Sequence, residues 1–239
     1  MTLAEPSFTG IAHVVVDIEG TTSRSTYVYD VLFPYATRRF DAWLAEHADE
    51  PQVREIVADI GREIGVADPT REQVVDALTA WVAEDRKIAP LKTLQGLIWQ
   101  EGFDSGELVS DFYPDALETL GAWHDAGVPI SVYSSGSVLA QRNWYSHSPV
   151  GDLTGWISGY YDTVNAGPKR EEASYRAIAA AIGADPATLL FCSDVVAELD
   201  AARDAGWQVV RVRRPGEPHA IEDSAYPEVS AMADIRLSP

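Results

Sequence analysis

The chain has a single cysteine among its 239 residues, Cys192, so no internal disulfide can staple the fold. Cys192 closes the apolar run Leu189-Leu190-Phe191-Cys192, where a buried structural thiol is expected rather than a nucleophile. Basic residues are scarce: 18 Lys and Arg stand against 37 Asp and Glu, a formal charge of −19. Nucleic-acid binding rests on neutralising phosphates with Lys and Arg, and anionic membranes attract the same residues, so neither partner is expected. Long hydrophobic runs are missing too. The run from Ile11 to Val16 is far shorter than a membrane span or a secretory segment, and no basic stretch precedes it, so a cytoplasmic protein is expected. No G-x-G-x-x-G follows that run, which weighs against a dinucleotide-binding domain. The acidity has one further consequence. An anionic substrate would need a metal ion or local cations at its site to overcome the field of the whole molecule.

What is present is a repeated alternation. Ile11-Ala12-His13-Val14-Val15-Val16 is a continuous apolar run ending in Asp17, the pattern of a strand buried on both faces. Similar runs lead from Val128 to Tyr133, from Thr188 to Cys192 and from Trp207 to Val212. Helical stretches flank them at Pro114 to Ala126, Glu171 to Ile182 and Val195 to Ala205, punctuated by Gly127, Gly183 and Gly206. This order predicts an α/β fold with a Rossmann-like parallel sheet. The stretch after Thr22 differs, with helical spacing at Val28 to Ala48, Gln52 to Ile64, Pro69 to Arg86 and Leu91 to Glu101 and no convincing strand. Asp68-Pro69 there looks like an N-cap followed by a first-turn proline. The expected organisation is therefore an α/β core of residues 1–22 and 112–239, with residues 23–111 inserted as a helical cap.

Ligands in open α/β sheets bind beyond the carboxyl ends of the strands. The polar residues there are Asp17 and Glu19, Ser134 and Ser135, and Asp194, with Lys169 at a loop-to-helix junction. Singly, each has an ordinary explanation: a turn acid, a helix cap in Ser134 to Ser137, a solvated lysine. Their shared position suggests a site, and the chemistry is coherent. A carboxylate can attack phosphorus, and a second acid two residues on can protonate a leaving oxygen and then activate water. Hard oxygen ligands suit Mg²⁺, while a lysine and serines can hold phosphoryl oxygens.

Asp17-Ile18-Glu19-Gly20-Thr21-Thr22 resembles the first motif of the haloacid-dehalogenase-like hydrolases, in the variant whose second acid is Glu. Further stretches resemble the enolase-phosphatases of methionine salvage within that superfamily: Asp30 to Ala36, Leu94 to Trp99, Val132 to Val138, Gly167 to Arg170 and Ser193 to Asp200. The resemblance covers about residues 11 to 216. It implies Asp17 as nucleophile and metal ligand, Glu19 as acid/base counted among the metal positions, and Asp194 completing a site for one Mg²⁺ per chain. Ser134 and Ser135 would bind substrate phosphate, Lys169 would neutralise it, and Glu198 could support the metal through water. The implied small-molecule substrate is 2,3-diketo-5-methylthiopentyl 1-phosphate, enolised and then hydrolysed to acireductone and phosphate. The alternative is another small-molecule phosphatase of the superfamily without enolase activity. For the enolisation base, Glu19, Lys92 and Glu84 all stay open. Phe33, Tyr35, Trp99 and Phe103 are candidates to enclose the methylthio end, or else pack between cap helices. A monomer is expected. Two departures from the family pattern stand out: an extra residue within Asp162 to Gly167, and Tyr145-Ser146-His147 where Phe-Gly-His is common.

Overall fold

The computed structural model describes residues 6–238, and the chain divides into two compact units. Residues 6–25 and 110–238 form one, and residues 26–109 the other. The first opens with β1 (Ser7–Thr9) and β2 (His13–Val16), the latter buried at every residue, as a strand covered on both faces must be.

The second unit is helical. A single helix from Val28 to Ala48 is expected from spacing, but the structure divides it. Val28–Leu32 is a π-helical turn closed by the Phe33 N–H on the Val28 carbonyl, followed by α1 (Phe33–Thr37) and α2 (Phe40–Glu46). Pro34 is the physical reason for the widened turn: it has no N–H to give Asp30, and its ring needs room where that carbonyl would lie. Then come α3 (Pro51–Ile64), α4 (Arg71–Ala83) and α5 (Ala89–Asp104). The N-cap of α4 is Thr70, not Asp68. Gln73 N–H donates to Thr70 Oγ1 at 3.3 Å while Thr70 N–H donates to Gln73 Oε1 at 2.9 Å, a reciprocal box that outcompetes a lone aspartate.

On returning, the chain forms α6 (Pro114–Asp125), β3 (Ile130–Tyr133), α7 (Val138–Ser146), β4 (Ile157–Tyr161), α8 (Glu172–Ile182), β5 (Leu189–Ser193), α9 (Val196–Asp204), β6 (Gln208–Val212), β7 (Glu228–Val229) and β8 (Arg236–Ser238). Six strands make one parallel sheet in the order β4-β3-β2-β5-β6-β7, and β1 pairs with β8 in a separate parallel ribbon. The register aligns Val14 with Ile130 and Leu190, and Val15 with Ser131 and Phe191. One face of the sheet buries Val15, Tyr133, Phe191 and Val209 against Tyr175 and Ile178 of α8 and Leu199 and Ala202 of α9. Cys192 faces the other side, fully buried, and burial pushes its thiol pKa up, as befits a structural residue. Because β2, β3 and β5 are adjacent and parallel, the residues just past Val16, Tyr133 and Ser193 emerge at the same edge.

Candidate active site

Asp17 is the first residue past β2, and its own N–H donates to the Cys192 carbonyl of β5. Behind it the chain turns tightly. The Ile18 carbonyl accepts N–H groups from Thr21, Thr22 and Ser23, while Thr22 Oγ1 donates to the Asp17 carbonyl at 3.0 Å. Gly20 makes this turn possible, with φ +77°; a Cβ there would lie 2.4 Å from Asp194 Oδ2. Asp194 follows β5, and its N–H donates to Thr21 Oγ1 at 3.0 Å. Glu19 is half-buried on the same turn.

Lys169 reaches this edge from the loop between β4 and α8. The Gly167 backbone, at φ +109°, packs so closely on Ser174 that a Cβ would sit 2.6 Å from its Oγ. Tyr133 Oη donates to the Gly167 carbonyl, Ser174 Oγ to that of Pro168, and Tyr175 Oη to that of Lys169. Held by three carbonyls in a row, the lysine is only 9% exposed. Its Nζ lies 2.6 Å from Asp17 Oδ1 and 2.7 Å from Glu198 Oε2, above the Tyr133 ring. Glu198, in the first turn of α9, also accepts a hydrogen bond from Ser193 Oγ at 3.0 Å.

Two buried carboxylates, Asp17 and Glu198, thus share one ammonium. Burial raises the Asp17 pKa to about 7 against the opposing pull of Lys169, with Glu198 and Glu19 adding to the rise. Burial and then the Asp17 charge raise Asp194 to about 8. Burial alone would lower the Lys169 pKa, but the fields of Asp17 and Glu198 outweigh it and hold the lysine charged. The serines separate into two roles. Ser137 caps α7, accepting the Ala140 N–H at 3.2 Å, whereas Ser134, buried just past β3, accepts the Gly136 N–H at 3.1 Å. Ser135 is half-buried beside it in sequence.

This edge, with a lysine-bound aspartate as its centre, is the ground on which the chain's relatives can be compared. A family model described as haloacid dehalogenase-like hydrolase matches residues 11–206. An enolase-phosphatase E1 of Streptomyces avermitilis is 56% identical over 209 residues, which are 87% of this chain and 87% of that protein. The chain belongs to the enolase-phosphatase family. An enolase-phosphatase E1 of Pseudomonas aeruginosa is 47% identical over 94% of this chain and 98% of its own length. Among solved structures, the UTR4 protein of Saccharomyces cerevisiae superposes with a TM-score of 0.80 at 30% identity, covering 92% of this chain and 98% of that one.

The helical unit uses most of its expected aromatics internally. Tyr35 and Phe103 are buried, with Tyr35 Oη donating to Glu107 at 2.8 Å and Arg39 stacked 3.6 Å above the ring. Trp99 Nε1 donates to the Leu32 carbonyl, and its ring stacks on the half-buried Phe33 at 6.3 Å. Lys92 is half-buried and Glu84 exposed. Among the described residues, no three or more His, Cys, Asp or Glu groups are placed to hold a metal ion together. Asp194 Oδ1 is buried with no hydrogen-bond partner. Two features escape sequence reasoning here. One is the Glu198–Lys169 pair, which depends on a tertiary approach. The other is the buried Arg214, which the sequence shows only as a basic residue past a strand.

Proposed function

We propose that the chain is a bifunctional enolase-phosphatase of methionine salvage, turning 2,3-diketo-5-methylthiopentyl 1-phosphate into acireductone and phosphate through its enol-phosphate. The observation that carries this reading is the buried Asp17 carboxylate held 2.6 Å from Lys169, in a chain of this family. Asp17 attacks phosphorus, and the bond from phosphorus to the enol oxygen breaks as Glu19 protonates that oxygen. Water then attacks the aspartyl-phosphate, Glu19 takes its proton, and phosphate leaves with Asp17 restored. Lys169, fixed by its loop and by Glu198, neutralises phosphoryl charge in a molecule whose overall field repels anions. Ser134 and Ser135, with the N–H groups of their turn, hold the remaining phosphoryl oxygens.

Mg²⁺ fits the residues present. The orphaned Asp194 Oδ1 and the Asp17 carboxylate are hard oxygen donors in a cluster short of positive charge, and Mg²⁺ takes one or two carboxylates together with substrate phosphate and water. Such an ion would neutralise phosphoryl charge and polarise a carbonyl when bound. In the enolisation step a proton leaves the carbon bearing the phosphate ester and another arrives on the neighbouring carbonyl oxygen. Glu19 is the candidate base on the α/β unit, and Lys92 and Glu84 are candidates on the helical unit. The helical unit is the cap in this reading and supplies selectivity for the methylthio end. The chain acts in the cytoplasm as a monomer. Substrate profiling tests the reading. The diketo phosphate should show a kcat/KM well above that of simple phosphomonoesters; faster turnover of the simple esters would assign a phosphatase without enolase activity instead.

A further inference from the structure

Arg214 lies just past β6, 4% exposed, with its guanidinium used in three directions. Nε and Nη2 both donate to the Thr21 carbonyl, at 3.1 and 3.0 Å. Nη1 donates to both Asp115 oxygens, at 2.9 and 2.8 Å, and to the Ser230 carbonyl at 3.2 Å. The Tyr113 ring covers its face at 4.2 Å. Asp115 is itself fixed in the first turn of α6 and accepts the Met232 N–H at 2.7 Å. A planar fork that binds a carboxylate on one edge and a carbonyl on the other sets the distance between them, which a lysine cannot do.

What this fork holds is the turn on which Asp194 rests. Thr21 is fully buried, and its two polar oxygens point to different tasks: the carbonyl to Arg214, the hydroxyl to the Asp194 N–H. On the adjoining residue, the bare Cα of Gly20 lies against the Asp194 carboxylate. The carboxylate is thereby confined by the turn, with Oδ1 left unpartnered. The turn is also anchored by the Tyr113 N–H on the Thr22 carbonyl and by Trp144 Nε1 on Ser23 Oγ, both at 2.9 Å. Arg214 is the anchor on Thr21 itself, the residue whose hydroxyl accepts the Asp194 N–H.

We propose that Arg214 is a positioning residue for Asp194, acting through the Thr21 turn and so setting how well the proposed cation site is formed. This inference rests on the reading of Asp194 as a metal ligand. The side chain touches no reacting atom, and Asp115, Arg214 and Thr21 form one hydrogen-bonded line from the start of α6 to the end of β5.

The test measures Mg²⁺ binding directly, by titration calorimetry and by the Mg²⁺-induced rise in melting temperature, alongside kinetics with the diketo phosphate. Arg214→Lys should raise the Mg²⁺ dissociation constant about tenfold, the low end of what partners that orient metal ligands contribute. The KM for substrate at saturating Mg²⁺ should change less than about twofold, and kcat should recover there. Because a variant at a buried arginine can fail to fold, Thr21→Val provides a second route: it keeps the carbonyl for Arg214 and removes the hydroxyl under Asp194. It should weaken Mg²⁺ binding similarly, and Thr21→Ser should restore it. Wild-type Mg²⁺ affinity in folded Thr21→Val or Arg214→Lys would overturn the proposal. So would loss of melting temperature alone, with unchanged affinity in the folded protein, which would make Arg214 purely structural. Failure of the underlying reading looks different: the wild-type protein would itself bind no Mg²⁺.

Discussion

Replacing Gly20 by alanine separates two costs that the structure places at one residue. The first is conformational. An L-residue at φ +77° is strained by about 1–2 kcal/mol relative to glycine. The second is steric. The new Cβ would stand 2.4 Å from Asp194 Oδ2 and 2.7 Å from its Cγ, so the carboxylate has to withdraw by roughly 1 Å to reach ordinary contact near 3.5 Å. Turning a buried side chain off its rotamer costs about 1 kcal/mol. The sum, about 2–3 kcal/mol, corresponds to a fall of roughly 4–12 °C in melting temperature for a chain of this length. Catalysis should suffer far more, because a misplacement of about 1 Å in an active site can cost some hundredfold. Gly183→Ala is the control: it carries the same strain at φ +75°, but its Cβ would meet nothing within 4 Å. It should lose about 2–8 °C and keep full phosphate release. Differential scanning calorimetry and a phosphate-release assay read both quantities. A Gly20→Ala protein retaining wild-type turnover would refute the reasoning, since Asp194 would then have no required position.

Asp17→Asn should cut phosphate release by roughly a thousandfold or more, with an unchanged circular dichroism spectrum; appreciable turnover would remove Asp17 as the nucleophile. Lys169→Ala leaves Asp17 and Glu198 buried without their cation and should destabilise the protein by about 3–5 kcal/mol at neutral pH, while lowering kcat/KM by at least about a hundredfold. An unchanged kcat/KM would return Lys169 to a structural role. His13, the buried first residue of β2, has Nε2 2.8 Å from Ser131 Oγ of β3, and burial lowers its pKa from 6.5. The folded state therefore binds its proton less readily than the unfolded one. Its contribution is complete above pH 6.5 and is lost as pH falls below it, by at most about 1.4 kcal/mol per pH unit. His13→Gln should flatten the fall in melting temperature between pH 7.5 and 5; parallel curves for the two proteins would contradict this. Chelation of divalent cations should stop turnover, and Mg²⁺ should restore it.

The parts of the fold that show in the sequence are those with a periodic signature of their own. Central strands β2, β3, β5 and β6 are continuous apolar runs because both sheet faces are covered, and α6, α8 and α9 carry a first-turn proline or a closing glycine. Strand β4 lacks such a run. It is an edge strand whose Ile-Ser-Gly-Tyr-Tyr buries only Tyr160 fully, so its composition resembles a loop. Helix α7 is hidden for a related reason, since its inward face includes the polar Gln141 and Asn143. At the candidate site, Asp17, Ser134 and Asp194 can be located from strand ends alone. The partner of Glu198 cannot, because a spacing of four from Asp194 suggests one face of a helix but says nothing about Lys169 arriving from another loop. Arg214 is less visible still: its meaning lies in Asp115 and Thr21, which are distant in sequence.

The most direct test of the central claim is an anaerobic time course with the diketo phosphate and Mg²⁺, following enol absorbance and free phosphate in one sample. Enol signal rising ahead of phosphate release, with both steps supported by the purified chain alone, is the predicted result. Phosphate released from this substrate or from other esters with no enol signal would contradict it.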